Sequence, residues 1–572
     1  MDYSIKIGGE AGQGIQTIGD TLSLVFSRSG YNVFTHQDYE SRIRGGHNFY
    51  QVRVSGNPVM APKEAIDILV ALDAKSIELD TAGLTDIGQV IYDSSALKQK
   101  HEGAKFLDIP FTALALEHGG SKIMANTVAT GAVLGMLGIG LDILLGIIKD
   151  TFKKKGEEII KANSSAAMAG HDYAVKQCIK CSFSAAVEGK PKMLIAGNDA
   201  IGLGAVASGC KFYSAYPMTP ATSIMLYVAS KAKEYGIIVE QAEDEIAAIN
   251  MALGASFAGV RAMTGSSGGG FALMVEGLSL AAITETPVVI ALAQRPGPAT
   301  GLPTKTGQAD LNFALYTSHG EFPRVIFAPG TPEQAFFLTN KAFELAEKYQ
   351  IPVLILTDQY LADSQWTFDG FDLTKLKYND YRLRGEAFSS LAEYKRHAFT
   401  ESGVTPMAVP GDAKHVVVTD SDEHDEAGHL TEDIDLTLKM MDKRLFKKMP
   451  QITAEIEPPN LYGNADPEII LVGWGSTYGV IKETVDAFAK NKKIAMLHFS
   501  EIYPLPSTKK LNYLGMLKKA QKTICIELNA TSQFAKLLRT ESGYTFNRLV
   551  NKYDGRPFTV EELTGEINAL IG

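Results

Sequence analysis

Short apolar runs alternate along the chain with stretches of helical periodicity. Runs such as Ser4–Ile7, Ile66–Leu72 and Gln89–Tyr92 contain few polar breaks, which is typical of buried parallel strands. After the first run, apolar residues recur at helical spacing from Ile15 to Val25, so a helix is predicted there. The repetition of strand, turn and helix predicts a multidomain α/β fold with parallel sheets.

The same pattern divides the chain into four predicted segments. A first α/β domain is predicted over residues 1–185 and a second over residues 192–370. Residues 371–460 are polar and irregular, which predicts a connecting segment. From 461 to 572, the runs EIILVGWG and IAMLHFS again predict strands, so a third α/β domain is expected.

Composition narrows the class of protein. The chain has 572 residues, which is too long for one ordinary core. Its 45% hydrophobic and 21% charged residues are typical of a globular protein, and 55 basic against 65 acidic residues argue against a general nucleic-acid or anionic-membrane binder. Four cysteines exclude a secreted disulfide framework, and the start resembles no signal peptide, so a cytoplasmic location is expected.

Residues 126–148 have the length of a membrane span. The glycines in this stretch and the acidic Asp142 weaken that interpretation, and no aromatic or basic anchors clearly flank it. A buried helix pair in an α/β domain is therefore favoured, and no membrane partner is predicted.

A glycine-rich turn follows the first strand. Gly9, Gly12 and Gly14 lie in GGEAGQG, whose order is G-x-x-G-x-G and not the dinucleotide G-x-G-x-x-G. A phosphate cradle at a helix N-terminus and a tight turn without ligand are about equally supported. Arg42 and Arg44 precede a Gly pair and could hold a phosphate or carboxylate. A salt-bridged loop against a partner subunit is slightly favoured for them.

Potential metal ligands form no complete set. Cys178 and Cys181 make one C-x-x-C pair, but the other two cysteines are far away in sequence, and an iron–sulfur site needs four thiolates. His424 and His429 lie in a dense acidic run, which is usually a solvated loop. No metal site is therefore predicted in this chain, and any redox cluster is expected on another chain.

Polar residues follow the strands of the second domain. Thr219 lies in YPMTP before a helix, and Pro220 is expected at the first helical position. Glu245 enters an Ala/Gly-rich helix, so its carboxylate is predicted to be buried. A Gly/Ser loop (TGSSGGG) and Arg295 follow two further apolar runs. Parallel sheets bind ligands at the ends of such strands, so a site is predicted there.

These motifs resemble a known family. YPMTP, EDEIAAINMALGAS, TGSSGGGFALM and QRPGPATGLPT look like the pyrimidine-binding domain of thiamine-diphosphate-dependent 2-oxoacid:ferredoxin oxidoreductases. GGEAGQGI and SRIRGGHNFYQVRVS resemble that family's gamma subunit, here fused in front of alpha. VGWGSTYG and HFSEIYPLP resemble its transketolase C-terminal-like domain. The resemblance covers nearly the whole chain.

One family motif is absent from this chain. The resemblance implies that thiamine diphosphate is shared with a beta subunit, whose Gly-Asp-Gly motif holds Mg²⁺ and the diphosphate. The present sequence contains no GDG and no cluster cysteine pattern. The beta partner is therefore expected to supply Mg²⁺, the diphosphate site and a 4Fe–4S cluster. An (alpha beta)2 heterotetramer is expected.

The resemblance also implies roles for individual residues. Glu245, preferred over Glu243, would hydrogen-bond the aminopyrimidine ring, and the expected cofactor-binding residues are Tyr216, Pro217, Thr219 and Glu245. Arg295 would bind the substrate carboxylate, with Thr219 and Thr304 as further substrate-binding residues. CoA or its phosphates are assigned to Gly9, Gly12, Gly14, Arg42 and Arg44.

The function implied is CoA-dependent oxidative decarboxylation of 2-oxoglutarate to succinyl-CoA with reduction of ferredoxin, in a reversible reaction. A broad-specificity, branched-chain or indolepyruvate enzyme stays open as an alternative. So does a thiamine enzyme without ferredoxin, although the gamma-like region argues against it. A non-catalytic assembly subunit is the third alternative, against which the retained Glu245, Thr219 and Arg295 argue.

Overall fold

The structure is a computed structural model and describes residues 1–41, 45–178, 183–185 and 189–571. The elements of the first unit are β1 (Asp2–Ala11), α1 (Ile15–Arg28), β2 (Asn32–Asp38), β3 (Gly45–Ser55), β4 (Ile66–Ala71), α2 (Ala74–Asp80), β5 (Leu84–Tyr92), α3 (Ser94–Leu97), β6 (Phe106–Asp108), α4 (Phe111–Gly119), α5 (Ala125–Met136), α6 (Asp142–Phe152) and α7 (Glu157–Gln177). The predicted first strand and the helix that follows it are both present.

The second unit carries the motifs that follow strands. Its elements are β7 (Met193–Ala196), α8 (Gly197–Ala207), β8 (Cys210–Ala215), α9 (Thr222–Tyr235), β9 (Ile238–Gln241), α10 (Glu245–Phe257), β10 (Arg261–Ser266), α11 (Gly268–Phe271), α12 (Val275–Ile283), β11 (Val288–Gln294), α13 (Leu311–Tyr316), β12 (Val325–Phe327), α14 (Pro332–Tyr349), β13 (Pro352–Asp358), α15 (Gln359–Asp363) and β14 (Gln365–Phe368).

The rest of the chain forms the connecting segment and the third unit. The connecting segment contains β15 (Arg382–Leu383), α16 (Gly385–Ser389), β16 (Met407–Ala408), α17 (Ile434–Met441), a π-helical stretch (Asp442–Lys447) and α18 (Lys448–Glu455). The third unit contains β17 (Asn460–Gly463), β18 (Ile469–Trp474), α19 (Tyr478–Phe488), β19 (Ile494–Phe499), β20 (Glu501–Tyr503), α20 (Tyr513–Lys519), β21 (Lys522–Glu527), α21 (Gln533–Ser542), β22 (Arg548–Asn551) and α22 (Val560–Ile571).

The first sheet is mixed and is shared between two units. Its order is β6-β5-β4-β1-β3-β2-β14-β7, with β1 parallel to β4 but antiparallel to β3. The parallel arrangement predicted for the first domain therefore applies to the β1-β4-β5-β6 part. Strands β7 and β14 lie in the predicted second domain, yet they extend this sheet, with Trp366 opposite Phe34. The first two units thus share a continuous sheet.

The apolar stretch at residues 126–148 forms α5 and the beginning of α6. Helices α5 and α7 pack closely at Gly131 of α5 and Gly170 of α7. A Cβ on Gly131 would clash with the Ala167 carbonyl, and a Cβ on Gly170 would clash with the Val128 carbonyl, so the close approach requires glycine at both positions. No helix in the described part of the chain is long and apolar enough to cross a membrane. The predicted helix pair is present, with α5 buried over most of its length and α6 buried along one side only, at Leu144, Ile147 and Ile148.

The second sheet positions the candidate site. Its order is β20-β12-β13-β11-β10-β8-β9, and the strands from β12 to β9 run parallel. Strands β11 and β13 are buried along their whole length, which explains their uninterrupted apolar sequences. Strand β20 of the third unit pairs antiparallel with β12 and forms one edge of this sheet, while β9 forms the other.

The third sheet has the order β17-β19-β18-β21-β22, with β18, β19, β21 and β22 parallel. It contacts the second unit through Gln308, whose Nε2 donates to the Trp474 carbonyl at 2.9 Å. Gln308 Oε1 accepts from the Leu528 N–H at 3.0 Å. The loop between β11 and α13 is therefore anchored on the third unit.

The connecting segment is anchored by a buried cluster of charges. Glu285, between α12 and β11, forms ion pairs with Lys443 and Lys448, and the ring of His397 lies 3.1 Å from it. These four side chains are at most 1% exposed. The segment is irregular over most of its length but ends in α17 and α18.

The structure confirms the predicted multidomain α/β class.

Candidate active site

Polar segments meet where the parallel strands of the second sheet end. Strands β8, β10 and β11 are neighbours in the sheet and end at Ala215, Ser266 and Gln294. The YPMTP segment, the glycine turn at 267–270 and Arg295 follow directly. Because the strands are parallel, these three segments lie along one edge, where such sheets bind ligands.

Glu245 is a buried carboxylate beside the glycine turn of this edge. It is the first residue of α10 and is 3% exposed, as predicted, whereas Glu243 is exposed. The preceding Asp244 caps the helix by accepting from the Ala247 N–H at 2.7 Å. Ser266 donates its hydroxyl to Glu245 Oε1 at 3.0 Å. Burial therefore selects Glu245 over Glu243 as the carboxylate of the site.

The glycine turn lets the backbone approach this carboxylate. A Cβ on Gly270 would clash with both Glu245 Oε1 and Ser266 Oγ. A Cβ on Gly269 would meet nothing within 4 Å, so the outer side of the turn is open. The turn thus forms a side-chain-free wall beside the carboxylate.

The YPMTP segment borders the same group. Met218 Sδ lies 3.7 Å from Ser266 Oγ, and Asn198 Nδ2 donates to the Pro220 carbonyl at 2.8 Å, which fixes the turn. Tyr216 is 41% exposed, while Pro217 and Thr219 are half-buried. In the described structure the Thr219 hydroxyl has no hydrogen-bond partner, so it is available to a ligand. Helix α9 begins at Thr222, so the prediction that Pro220 starts it was wrong.

Arg295 follows β11 directly and is half-buried. Burial lowers the pKa of its guanidinium, and nearby Asp310 opposes that shift. Burial also raises the pKa of Asp310 to about 6, and Arg295 opposes this shift in turn. Within the described part of the chain, Arg295 forms no hydrogen bond or ion pair. A guanidinium without a partner at a strand end suits recognition of a carboxylate.

Thr304 is turned toward the first unit. Its hydroxyl donates to the Tyr39 carbonyl at 2.6 Å, and the neighbouring Lys305 pairs with Asp38. The structure thus assembles Thr219, Glu245 and Arg295 along one edge but directs the Thr304 hydroxyl to the backbone of another unit.

The N-terminal glycines border a separate cavity. Gly12 and Gly14 have positive φ angles of 93° and 84°, and Gly14 is the N-cap of α1. Both line a cavity of about 590 Å³ that also includes Tyr39 and Asp363. Gly9 lies within β1 and does not line it. Arg42 and Arg44 lie outside the described residues.

The remaining potential metal ligands are dispersed. Cys178 follows α7, and Cys181 lies outside the described residues. His424 is fully buried, packs 4.0 Å from the ring of His397 and hydrogen-bonds the Asp422 carbonyl through Nδ1 at 3.0 Å. It therefore lies in a folded region and not in a solvated loop, while His429 pairs loosely with Asp425 at 3.9 Å. In the described part of the chain, no group of three or more His, Cys, Asp or Glu residues is placed to hold a metal ion.

Sequence reasoning did not single out Ser266 and Asp310. Ser266 is the last residue of β10, and a polar residue ending a buried strand was the available signal. Asp310 directly precedes the short helix α13, and an aspartate at that position is usually interpreted as a helix cap. Ser266 lies against Gly270 and Asp310 lies against Gly268, and these contacts can be identified only from the three-dimensional structure.

Family models match two regions of the chain. "Pyruvate flavodoxin/ferredoxin oxidoreductase, thiamine diP-bdg" matches residues 203–443, which contain the candidate site. "Pyruvate ferredoxin/flavodoxin oxidoreductase" matches residues 4–173, which contain the N-terminal glycine turn. The first match supports a thiamine-diphosphate-binding domain.

Full-length relatives extend these matches. The 2-oxoacid:ferredoxin oxidoreductase subunit alpha of Sulfolobus sp is 31% identical, covering 98% of this chain and 96% of its own. The 2-oxoglutarate oxidoreductase subunit KorA of Mycobacterium tuberculosis is 29% identical over 99% of this chain and 91% of its own.

A solved structure of the same architecture is also similar. It is the 2-oxoglutarate:ferredoxin oxidoreductase from Magnetococcus marinus with 2-oxoglutarate, coenzyme A and succinyl-CoA bound. It matches with a TM-score of 0.90 and 32% identity, and covers 100% of both chains. On these similarities and the site described above, the chain belongs to the 2-oxoacid:ferredoxin oxidoreductase family, as an alpha subunit.

Proposed function

We propose that this chain is the alpha subunit of a 2-oxoglutarate:ferredoxin oxidoreductase that forms succinyl-CoA. The observation that carries the proposal is the match over the whole length of both chains to the Magnetococcus marinus enzyme, which has 2-oxoglutarate and succinyl-CoA bound. Broad 2-oxoacid specificity is the second candidate, because the full-length Sulfolobus relative is named for 2-oxoacids in general.

The candidate site fits the aminopyrimidine end of thiamine diphosphate. Glu245 Oε1 is held by Ser266, and no described residue hydrogen-bonds its Oε2, so one carboxylate oxygen is free for a ring nitrogen. The side-chain-free turn at Gly270 leaves room for a flat ring beside it. Thiamine diphosphate supplies the carbanion and the electron sink for decarboxylation when bound. The role of Glu245 is to hold a proton at the ring nitrogen and exchange it, as a positioned acid–base group.

Substrate recognition is assigned to the other end of this edge. Arg295 presents a planar pair of donors that pair with no other described residue, which suits bidentate binding of the oxoacid carboxylate. The Thr219 hydroxyl, which follows β8 on the same edge, is the proposed donor for the 2-oxo group or the pyrimidine. The hydrogen bond from Thr304 to Tyr39 favours a supporting role for Thr304, because it fixes the loop that carries Arg295.

CoA is assigned to the cavity at the N-terminal glycine turn. The backbone at Gly12 and Gly14 and the N-terminus of α1 favour phosphate oxygens there. The carboxylates of Glu40 and Asp363 also line the cavity, so we place the phosphates at the backbone N–H groups of the glycine turn. Arg42 and Arg44 keep their proposed role as further phosphate ligands.

A beta subunit is proposed to complete the site. It would supply Mg²⁺, the diphosphate-binding residues and the 4Fe–4S cluster that passes electrons to ferredoxin, in an (alpha beta)2 assembly. Apolar side chains beside Glu245 support a protein partner, because Ile246, Met251 and Leu273 are 41–50% exposed in the single chain. Exposed apolar residues that group into a larger patch usually mark an interaction site.

The test is purification of the chain together with its beta subunit and measurement of oxoacid-dependent dye reduction with CoA. We expect 2-oxoglutarate to give the highest kcat/KM, with succinyl-CoA as product. Similar kcat/KM values for pyruvate and 2-oxoglutarate would favour the broad-specificity alternative. Turnover without CoA or without an electron acceptor would contradict the proposed reaction.

A further inference from the structure

Asp310 is a second carboxylate at the candidate active site. Its backbone N–H donates to Gln294 Oε1 at 3.0 Å, so it is tied to the end of β11. A Cβ on Gly268 would lie 2.8 Å from Asp310 Oδ2, so this carboxylate lies against the glycine turn. Glu245 lies against the same turn at Gly270. Two carboxylates therefore flank a turn of three glycines.

Helix capping does not explain the position of the Asp310 side chain. Aspartates at the N-cap of other α-helices in this chain accept a hydrogen bond from a first-turn N–H, as is usual for this position; they are Asp73, Asp93, Asp244, Asp358 and Asp433. The side chain of Asp310 makes no such bond. No other described residue hydrogen-bonds it either. A half-buried carboxylate that no described residue hydrogen-bonds costs free energy, so its conformation needs another explanation.

Arg295 is the charged group that acts on Asp310. The Asp310 N–H binds Gln294, the residue directly before Arg295, so the two charges lie at the same strand end. No ion pair within 4.0 Å joins them, and each charge opposes the shift that burial gives to the pKa of the other. Two of the groups that hydrogen-bond this corner are neutral, since Gln294 accepts from the Asp310 N–H and Gln533 accepts from the Asn312 N–H. Two ionisable groups are also close. Glu245 lies across the glycine turn, and Asp358 ends β13 opposite Gln294, where burial raises its pKa to about 6. Because Asp358 is present in both the wild type and Asp310→Asn, the comparison of the two separates its titration from that of Asp310.

We propose that Asp310 is a positioning residue whose protonation state sets the affinity of Arg295 for the carboxylate of the 2-oxoacid. When it is ionised, Asp310 partly neutralises the guanidinium and repels the arriving carboxylate. When it is protonated, Arg295 binds the substrate with its full charge. This inference rests on the proposed function, in which Arg295 binds the substrate carboxylate.

The sign of the effect follows from linkage. Burial places the pKa of Asp310 near 6, so the group is mostly ionised at neutral pH. A second carboxylate beside it raises that pKa further, so substrate binding is accompanied by proton uptake. Affinity should therefore fall as pH rises above about 6, with a limit of about tenfold per pH unit for one linked proton.

The experiment uses the complete assembly with the beta subunit, both wild type and with Asp310→Asn, which preserves the shape of the side chain. Calorimetry measures the dissociation constant of a 2-hydroxyacid, which cannot be decarboxylated, between about pH 5.5 and about pH 7.5. Titration in two buffers of different ionisation enthalpy measures proton uptake by the wild type without any variant. Asp433→Asn, at an exposed helix cap, is the matched control.

We expect the wild type to take up a proton and to bind the 2-hydroxyacid more weakly as pH rises. Asp310→Asn should bind it several-fold more tightly at the upper pH, with little pH dependence and little proton uptake. Weaker binding by Asp310→Asn at every pH, or an unchanged pH dependence, would overturn the inference. An assembly that oxidises no 2-oxoacid would instead refute the proposed function, so the two failures are distinguishable.

Discussion

Replacing Glu245 with Gln should slow proton exchange at the reactive carbon of thiamine diphosphate without unfolding the protein. The side chain is 3% exposed, and Oε1 accepts a 3.0 Å hydrogen bond from Ser266 that a glutamine oxygen can also accept. What is lost is the ionisable oxygen that would exchange a proton with the pyrimidine ring. A positioned acid–base group is worth about 10²–10⁴-fold in rate, which corresponds to about 3 to 5 kcal/mol of transition-state stabilisation.

The assay is deuterium exchange at C2 of the bound cofactor, followed by NMR in the assembled enzyme without substrate. Steady-state kcat/KM is measured in parallel for several 2-oxoacids. Both quantities should fall, and kcat/KM should fall by a similar factor for every oxoacid, because cofactor activation precedes substrate choice. Glu243→Gln is the matched control, since Glu243 is exposed two residues away, and it should behave like the wild type. If Glu245→Gln exchanges C2 at the wild-type rate, our placement of the pyrimidine is wrong.

Three further changes test other parts of the structure. Arg295→Lys keeps the charge but removes the planar pair of donors, so KM for the oxoacid should rise while C2 exchange stays near the wild-type rate; slowed exchange would contradict this role. Glu285→Gln leaves Lys443 and Lys448 buried without their partner, so chemical denaturation should show a loss of roughly 3 to 5 kcal/mol, against little change for the exposed Glu386→Gln. The isolated chain should bind thiamine diphosphate poorly, because it lacks a GDG motif, and micromolar affinity in a titration would refute that expectation.

The sequence was sufficient to predict the elements that carry the candidate site. Apolar runs followed by Gly, Pro and polar residues predicted strand ends just before Tyr216 and close to Gln294, and β8 and β11 do end there. The predicted loop TGSSGGG was too long, because β10 continues through its first three residues and ends at Ser266. The burial of Glu245 followed from the Ala/Gly-rich helix that it begins, and the structure confirms it. Both inferences depend on local sequence, where the pattern of apolar residues directly reflects burial.

Strand pairing across the predicted domain boundary could not be predicted. Strands β7 and β14 have only four residues each, and their apolar content does not identify the sheet they join. Strand β14 lies beside β2, where Phe34 packs against Trp366 more than 300 residues away in sequence, and β7 pairs with β14 in turn. The side chain of Asp310 is a second example, because its position depends on a glycine about 40 residues earlier that leaves the space open.

The loop between β11 and α13, which begins at Arg295, contacts all three units. It begins at Arg295, contacts the first unit through the hydrogen bond from Thr304 to the Tyr39 carbonyl, and contacts the third unit through Gln308. It then returns to the sheet at Asp310, whose N–H binds Gln294. Because each contact fixes a different part of the loop, a shift of the first or third unit would be transmitted to Arg295. The first unit also borders the cavity to which we assign CoA. The two proposed substrate sites are therefore joined by covalent structure and hydrogen bonds within one chain, which gives fusion of the first unit to the second a physical consequence.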